Sequence, residues 1–231
     1  MTKLLEEMKP LVDQTIATLE NKKFNQDPIG GKLSKTVSVM SAAYKRHGLI
    51  LEQAILAKVK SISKYDAWDT KSFFVSNTVS REVTIMLEEI YKNNKYSNLN
   101  FEYKDESHSK KKKPHLQVDL LVYNKSSKTI NSYEIKRGNG RHDAGKQRGI
   151  LRDLLCTESL LKSYGEYYGY EVKKHKSYII FYYGTGTVGT ADKWFKLTGS
   201  DLDTHFKHEI YEEIEQVNKY YKNQLFSMLS Q

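Results

Sequence analysis

Apolar side chains recur three and four positions apart over residues 3–21 (Leu4, Leu5, Met8, Leu11, Val12, Ile16, Leu19), the spacing of a helix with one buried face. The turn-rich run Asn25-Gln26-Asp27-Pro28-Ile29-Gly30-Gly31 ends it, and Ser34 or Thr36 offers the next helix start. The same period predicts helices over about 37–62, nicked at Gly48, and over about 78–91. From residue 98 the period shortens to two. Residues 99–104 read as a first strand and 116–123 as a second, nearly all apolar, as for a central strand covered on both faces. A polar turn at 124–128 leads to a third strand over 129–137. After the break Gly138-Asn139-Gly140 come a helix over about 141–164, a strand over 177–183, a glycine-rich stretch at 184–189 and a last helix over about 202–228. Helices, three strands, a helix, a strand and a helix make an α/β sheet flanked by helices.

Composition narrows the function classes. With 39% hydrophobic and 12% aromatic residues in 231, the chain can bury a real core. The net charge of +9, from 37 Lys and Arg against 28 Asp and Glu, favours a polyanionic partner. No run of about 18 apolar residues is present, so no membrane span is expected. Residues 1–7 have no apolar core like that of a signal peptide, so no leader is expected. The single Cys156 rules out an internal disulfide and a cysteine-cluster zinc site, and fits a reducing, cytoplasmic setting. It lies in a Leu-rich helical stretch and reads as a buried, inert thiol. The glycines at 184–189 lack the Lys-Ser/Thr ending of a phosphate-binding loop, so no nucleotide cofactor is expected.

One position in the second strand breaks its apolar pattern: Asp119, within Leu116-Gln117-Val118-Asp119-Leu120-Leu121-Val122. A buried carboxylate is costly unless it is paired or binds a cation. On the next strand Glu134 and Lys136 are two apart and therefore share a face. Acid–any–Lys occurs six times in this chain, but only this copy follows a strand that carries an acid. If the two strands form a hairpin, Asp119 and Glu134 converge, and two close carboxylates favour a hard divalent cation such as Mg²⁺.

These residues resemble the PD-(D/E)XK nuclease superfamily, and most of all a type II restriction endonuclease. Asp119 precedes Glu134-Ile135-Lys136 by 134 − 119 = 15 positions, with Val118 where the name-giving motif often has proline. The resemblance implies a restriction-endonuclease-like core of helix, three strands, helix and strand over 41–184. That core would carry an N-terminal helical extension (1–40) and a C-terminal loop and helix (185–231), all in one nuclease domain. It also implies that Asp119, Glu134 and the Ile135 carbonyl hold Mg²⁺, while Lys136 orients the attacking water. Members often add an acid from the first core helix. Glu52, on a helical stripe with Leu49, Leu56 and Val59, is placed ahead of Glu82, because Gly48 would let its helix approach the sheet closely.

Basic residues follow the third strand. Arg137, Arg141, Lys146 and Arg148, with Lys111 and Lys112 from the run at 110–113, are the candidate DNA contacts. Double-stranded DNA is the expected partner, and paired cuts at a palindromic site would call for a homodimer. Repair, junction-resolving or mobile-element cleavage by the same fold, and a non-catalytic basic DNA-binding module, remain the alternatives.

Overall fold

A computed structural model describes residues 2–21, 30–104, 115–138 and 143–230. Lys111, Lys112 and Arg141 lie outside the described residues. The chain runs α1 (Lys3–Glu20), α2 (Gly31–Lys60), β1 (Tyr65–Phe74), α3 (Asn77–Asn93), β2 (His115–Asn124), β3 (Thr129–Lys136), α4 (Ala144–Tyr167) and β4 (Lys174–Phe181). It ends with α5 (Asp192–Phe195), β5 (Lys196–Thr198), α6 (Leu202–Phe206) and α7 (Tyr211–Leu229). The five strands form one sheet in chain order. β1, β2 and β3 are antiparallel neighbours, while β3, β4 and β5 run parallel. The long α4 makes the crossover that a parallel β3–β4 pair requires.

Apolar residues cover both faces of this sheet. Val83, Leu87 and Ile90 of α3 and Leu151, Leu155 and Leu161 of α4 pack with Leu121 and Ile179 on one side. Leu4, Met8 and Val12 of α1, Ile50, Leu51 and Ile55 of α2, and Ile214 and Val217 of α7 cover Leu120, Tyr133 and Ile180 on the other. Burial of β2 from both faces explains its continuous apolar run. Cys156 lies in the first layer, and burial pushes its thiol up to about 12, so it stays an unreactive S–H.

The first strand is not where the period of two suggested. Residues 99–104 do alternate, with Tyr103 buried and Lys104 exposed, but they form no strand. Their backbone bonds instead to α4: Phe101 N–H donates to the Ser159 carbonyl (2.8 Å) and Tyr103 N–H to Ser163 Oγ (2.7 Å). The true β1 lies earlier, at the sheet edge, and carries Asp66, Asp69, Lys71 and Ser72. Edge strands are often kept polar, which hides them from an apolar pattern.

The expected division at residues 40 and 41 lies within the continuous α2, and two further expectations need correction. Gly48 does not nick it, and a Cβ there would meet nothing within 4 Å, so it permits no close approach. The last helix is two, α6 and α7, separated where Lys207 turns left-handed at φ 55°. Tyr164 packs in the core and Tyr170 stacks on Trp68, whereas Tyr167 and Tyr168 keep exposed rings.

Gly138 closes β3 against β4. Its φ is +70°, and a Cβ there would stand 2.8 Å from Phe181 Cβ and 2.9 Å from the Phe181 backbone. Gly138→Ala should therefore destabilise the fold by about 1–3 kcal/mol, read as a lower denaturation midpoint. An unchanged midpoint would mean that the strand end can shift freely.

Candidate active site

The β2–β3 ladder pairs Asn124 with Thr129 and proceeds to Leu120 with Tyr133, each pair summing to 253. The ladder ends at Leu120, next to Asp119, where β2 also shifts register against β1 between Leu121 and Val118. The ladder stops there because the Asp119 side chain takes over a backbone bond: Oδ2 accepts the Ile135 N–H at 2.9 Å. Gln117, two residues back on β2, donates from Nε2 to Asp119 Oδ1 at 3.4 Å. Asp119 is thus a buried acid with both oxygens engaged.

Lys136 bridges the two acids. Its Nζ contacts Glu134 Oε1 and stands 3.8 Å from Asp119 Oδ2. Burial works against the ammonium, but Glu134 and then Asp119 outweigh it, so the Lys136 pKa is raised. Glu134 is pushed up chiefly by burial, and Asp119 adds to that while Lys136 opposes it. Glu52 reaches the same field from α2. Burial first and Asp119 next raise it to about 7, with Lys136 opposing and Glu134 reinforcing. Its stripe differs from the expected one: Leu49 is exposed, and Glu52 flanks the buried row Ile50, Leu51, Ala54, Ile55 and Val59. Glu82 instead pairs with the exposed Arg81 at 3.3 Å.

Two residues not singled out from the sequence join the cluster. Gln117 could have been found, since a spacing of two puts it on the Asp119 face. Asp153 could not, because only the packing of α4 brings it beside Glu134, where the two share the lining of a small cleft.

The expected DNA contacts fare unequally. Asp143 caps α4 by accepting the Lys146 N–H at 2.9 Å, leaving Lys146 exposed at the helix start. Arg148 contacts Glu88 of α3 and stands 5.8 Å over the Tyr91 ring. Arg152 donates to Ser80 Oγ at 2.6 Å. These two arginines cross-link α3 and α4. Arg137 follows Lys136 and so points to the opposite face, towards α2, where it stacks on Tyr44 at 4.4 Å. The 184–189 stretch is tied down: Lys196 Nζ donates to the carbonyls of Gly184 (3.0 Å) and Gly186 (2.8 Å).

A central strand carrying an acid, beside a strand with acid–any–Lys, is the arrangement that the resemblance implied. The family model "Type II restriction endonuclease, HinfI" matches residues 3–229. The chain belongs to the HinfI family. Comparison with curated proteins and with solved structures gave no match. Membership makes the chain a type II restriction endonuclease, a site-specific deoxyribonuclease acting on double-stranded DNA, in a class that generally uses a divalent metal. The mixed α/β fold is compatible with that assignment, and no helix of the described residues is long and apolar enough to cross a membrane.

The donor chemistry can be tested against a divalent ion. As the side chains stand, no group of three or more His, Cys, Asp or Glu among the described residues closes on one point. Lys136 fills the space between Asp119 and Glu134. Yet the available donors are carboxylate and carbonyl oxygens, which suit a hard cation. Glu52 and Glu134 are raised chiefly by burial and further by neighbouring carboxylates, so a divalent cation would favour their charged forms. A cation entering there would take over the role that Lys136 now plays. The donor set therefore fits.

Proposed function

We propose that this endonuclease cuts both strands of DNA by Mg²⁺-dependent hydrolysis at Asp119, Glu134, Lys136 and Glu52, as a homodimer in host defence. The observation that carries this reading is Lys136, whose ammonium reaches both Asp119 and Glu134 just beyond the end of the β2–β3 ladder.

Asp119, Glu134 and the Ile135 carbonyl would hold Mg²⁺, with Glu52 assisting. Bound there, the ion would polarise the scissile phosphate and lower the pKa of an attacking water. Asp119 keeps its orientation through the Ile135 N–H and Gln117, so its position does not depend on the substrate. The raised pKa keeps Lys136 charged at neutral pH, which makes it an electrostatic partner of the phosphate and of the water rather than a proton acceptor. Lys146, exposed at the start of α4, and Arg148, half-exposed beside Glu88, would meet the DNA backbone.

Incubation with phage DNA and Mg²⁺, followed by sequencing of fragment ends, tests the reading. Discrete fragments with 5′-phosphates and cuts on both strands are expected. Cutting that persists undiminished in EDTA would overturn the metal-dependent part. Size measurement with and without DNA tests the dimer.

Glu52 gives a separate handle. Glu52→Gln should slow cutting more than Glu82→Gln, and the reverse ranking would move the helical acid to α3. Its titration also bears on stability. The folded chain holds the Glu52 proton up to about 7, against an ordinary value of 4.5. Between those values the folded state binds more protons than the unfolded one, so stability falls as pH rises. In EDTA the denaturation midpoint should drop from about pH 5 to about pH 7, and Glu52→Gln should flatten that drop. Glu134 adds in the same direction. A divalent cation, binding only the folded chain, should restore the midpoint at the higher pH.

A further inference from the structure

β2 and β3 part beyond the Leu120–Tyr133 pair: β2 stays with β1 through Val118 and Leu116, and β3 stays with β4 through Lys136. A cleft of about 40 Å³ lies in this gap, between the sheet and α4. Gln117 and Val118 line it from β2, Ser132 and Glu134 from β3, and Asp153 and Thr157 from α4, beside the apolar Ile150 and Leu154. A water molecule needs about 10–15 Å³ of such space, so a few fit.

The polar atoms of this lining are unevenly satisfied. Ser132 Oγ pairs with Ser177 Oγ at 2.6 Å, and Thr157 Oγ1 donates to the Asp153 carbonyl at 2.9 Å. Gln117 turns Nε2 to Asp119 and keeps Oε1 free. What the lining still offers, among the described residues, is acceptors: that amide oxygen and one carboxylate oxygen each of Glu134 and Asp153. Asp153 is half-exposed and pairs only with its chain neighbour Arg152, at 3.5 Å, while Ser80 holds that guanidinium at 2.6 Å. An exposed pair of this kind is worth little and does not account for a second carboxylate beside Glu134. Burial raises the Asp153 carboxyl, opposed by Arg152 and then by Lys136, so the ammonium of the cutting centre acts on it.

Acceptors without donors call for water. A hard ion such as Mg²⁺ gives up its water reluctantly and keeps several molecules, whose hydrogens point outward. An ion held by Asp119 and Glu134 would turn part of that shell towards the cleft. No three acids among the described residues close on one point, so a bridging water suits Asp153 better than direct ligation. We propose that Asp153 is a positioning residue of the cutting centre, accepting a hydrogen bond from water bound to the divalent ion and so holding that ion against Glu134. The proposal rests on the placement of the ion at Asp119 and Glu134.

The test reads metal affinity apart from rate. Binding of Ca²⁺, which is expected not to support cutting, is followed by calorimetry on the full chain with duplex DNA, and cutting is titrated with Mg²⁺. Asp153→Ala should weaken Ca²⁺ binding and raise the half-saturating Mg²⁺ by about 10–100-fold, the usual effect of losing a group that supports a metal's ligands. The rate at saturating Mg²⁺ should return to within a few-fold of the parent chain. Asp153→Asn, which keeps an acceptor, should lose less. Asp66→Asn removes the same charge at the start of β1, where Lys125 pairs with it, and should change neither quantity. Unchanged metal binding in both Asp153 variants would overturn the proposal, whatever the denaturation midpoint does. So would a rate that stays low at saturating Mg²⁺ with Ca²⁺ binding intact, which would put Asp153 in the chemistry itself. An equal weakening by Asp66→Asn would also overturn it, since net charge alone would then be read. Failure of the cutting centre shows separately, as Ca²⁺ binding that Asp119→Asn leaves intact.

Discussion

Asp119→Asn should bind DNA in Ca²⁺ about as well as the parent chain and should show no detectable cutting in Mg²⁺. The choice of Asn follows from the Ile135 N–H, which donates to Asp119 Oδ2 at 2.9 Å. Alanine would leave that buried donor unpaired, at a cost of about 1–3 kcal/mol, and would mix a folding defect with a chemical one. Asparagine keeps an acceptor for the Ile135 N–H and loses only the charge. It thus removes the one anionic donor that β2 supplies, while the main-chain geometry at the ladder end survives. Single-turnover cleavage, DNA affinity and the denaturation midpoint should be measured together. Near-parental cutting with an unchanged midpoint would remove Asp119 from the active site, and with it the reading of the β2–β3 end. Loss of binding as large as the loss of cutting would make Asp119 a structural residue.

Lys136→Met should slow single-turnover cleavage by at least roughly 10²–10³-fold, the loss typical of removing one positioned electrostatic stabiliser. DNA affinity in Ca²⁺ should change far less, because one cation among many phosphate contacts is a small share of binding. Methionine preserves much of the length and apolar stem of lysine, so the half-buried position stays filled. The same substitution leaves Glu134 without its closest cation, and the carboxylate should hold its proton to still higher pH. The pH–rate profile of any residual activity should therefore shift upward. Lys136→Arg should not restore the rate, since the planar guanidinium does not reproduce a compact ammonium between two carboxylates. Equal losses in rate and affinity would recast Lys136 as an ordinary phosphate anchor.

Much of the chemistry was legible without coordinates. Leu120, Leu121, Val122 and Tyr123 announced a strand covered on both faces, and one acid within that run stood out because burying it is expensive. The polar turn at 124–128 implied a hairpin. A hairpin lets Asp119 and Glu134 converge, and the structure brings both to Lys136. Helical spacing likewise identified the inward row of α1.

What escaped depends on contacts between segments distant in sequence. Alternation over 99–104 records that one side is buried, but not whether the backbone bonds to a strand or, as here, to Ser159 and Ser163 on a helix. β1 was missed because an edge strand has one neighbour and keeps Asp69 and Lys71 exposed. The basic run along α4 suggested DNA contact, yet Glu88 and Ser80 of α3 engage Arg148 and Arg152. Sequence order placed Arg137 beside Lys136, whereas the alternation of β3 together with the packing of α2 and α7 turned it to the other face, against Tyr44 and near His47. The sequence alone determined which residues carry charge and where the local period puts them. Only the tertiary structure decided which of those charges find a partner, because pairing is set by the layers that meet and not by neighbours along the chain.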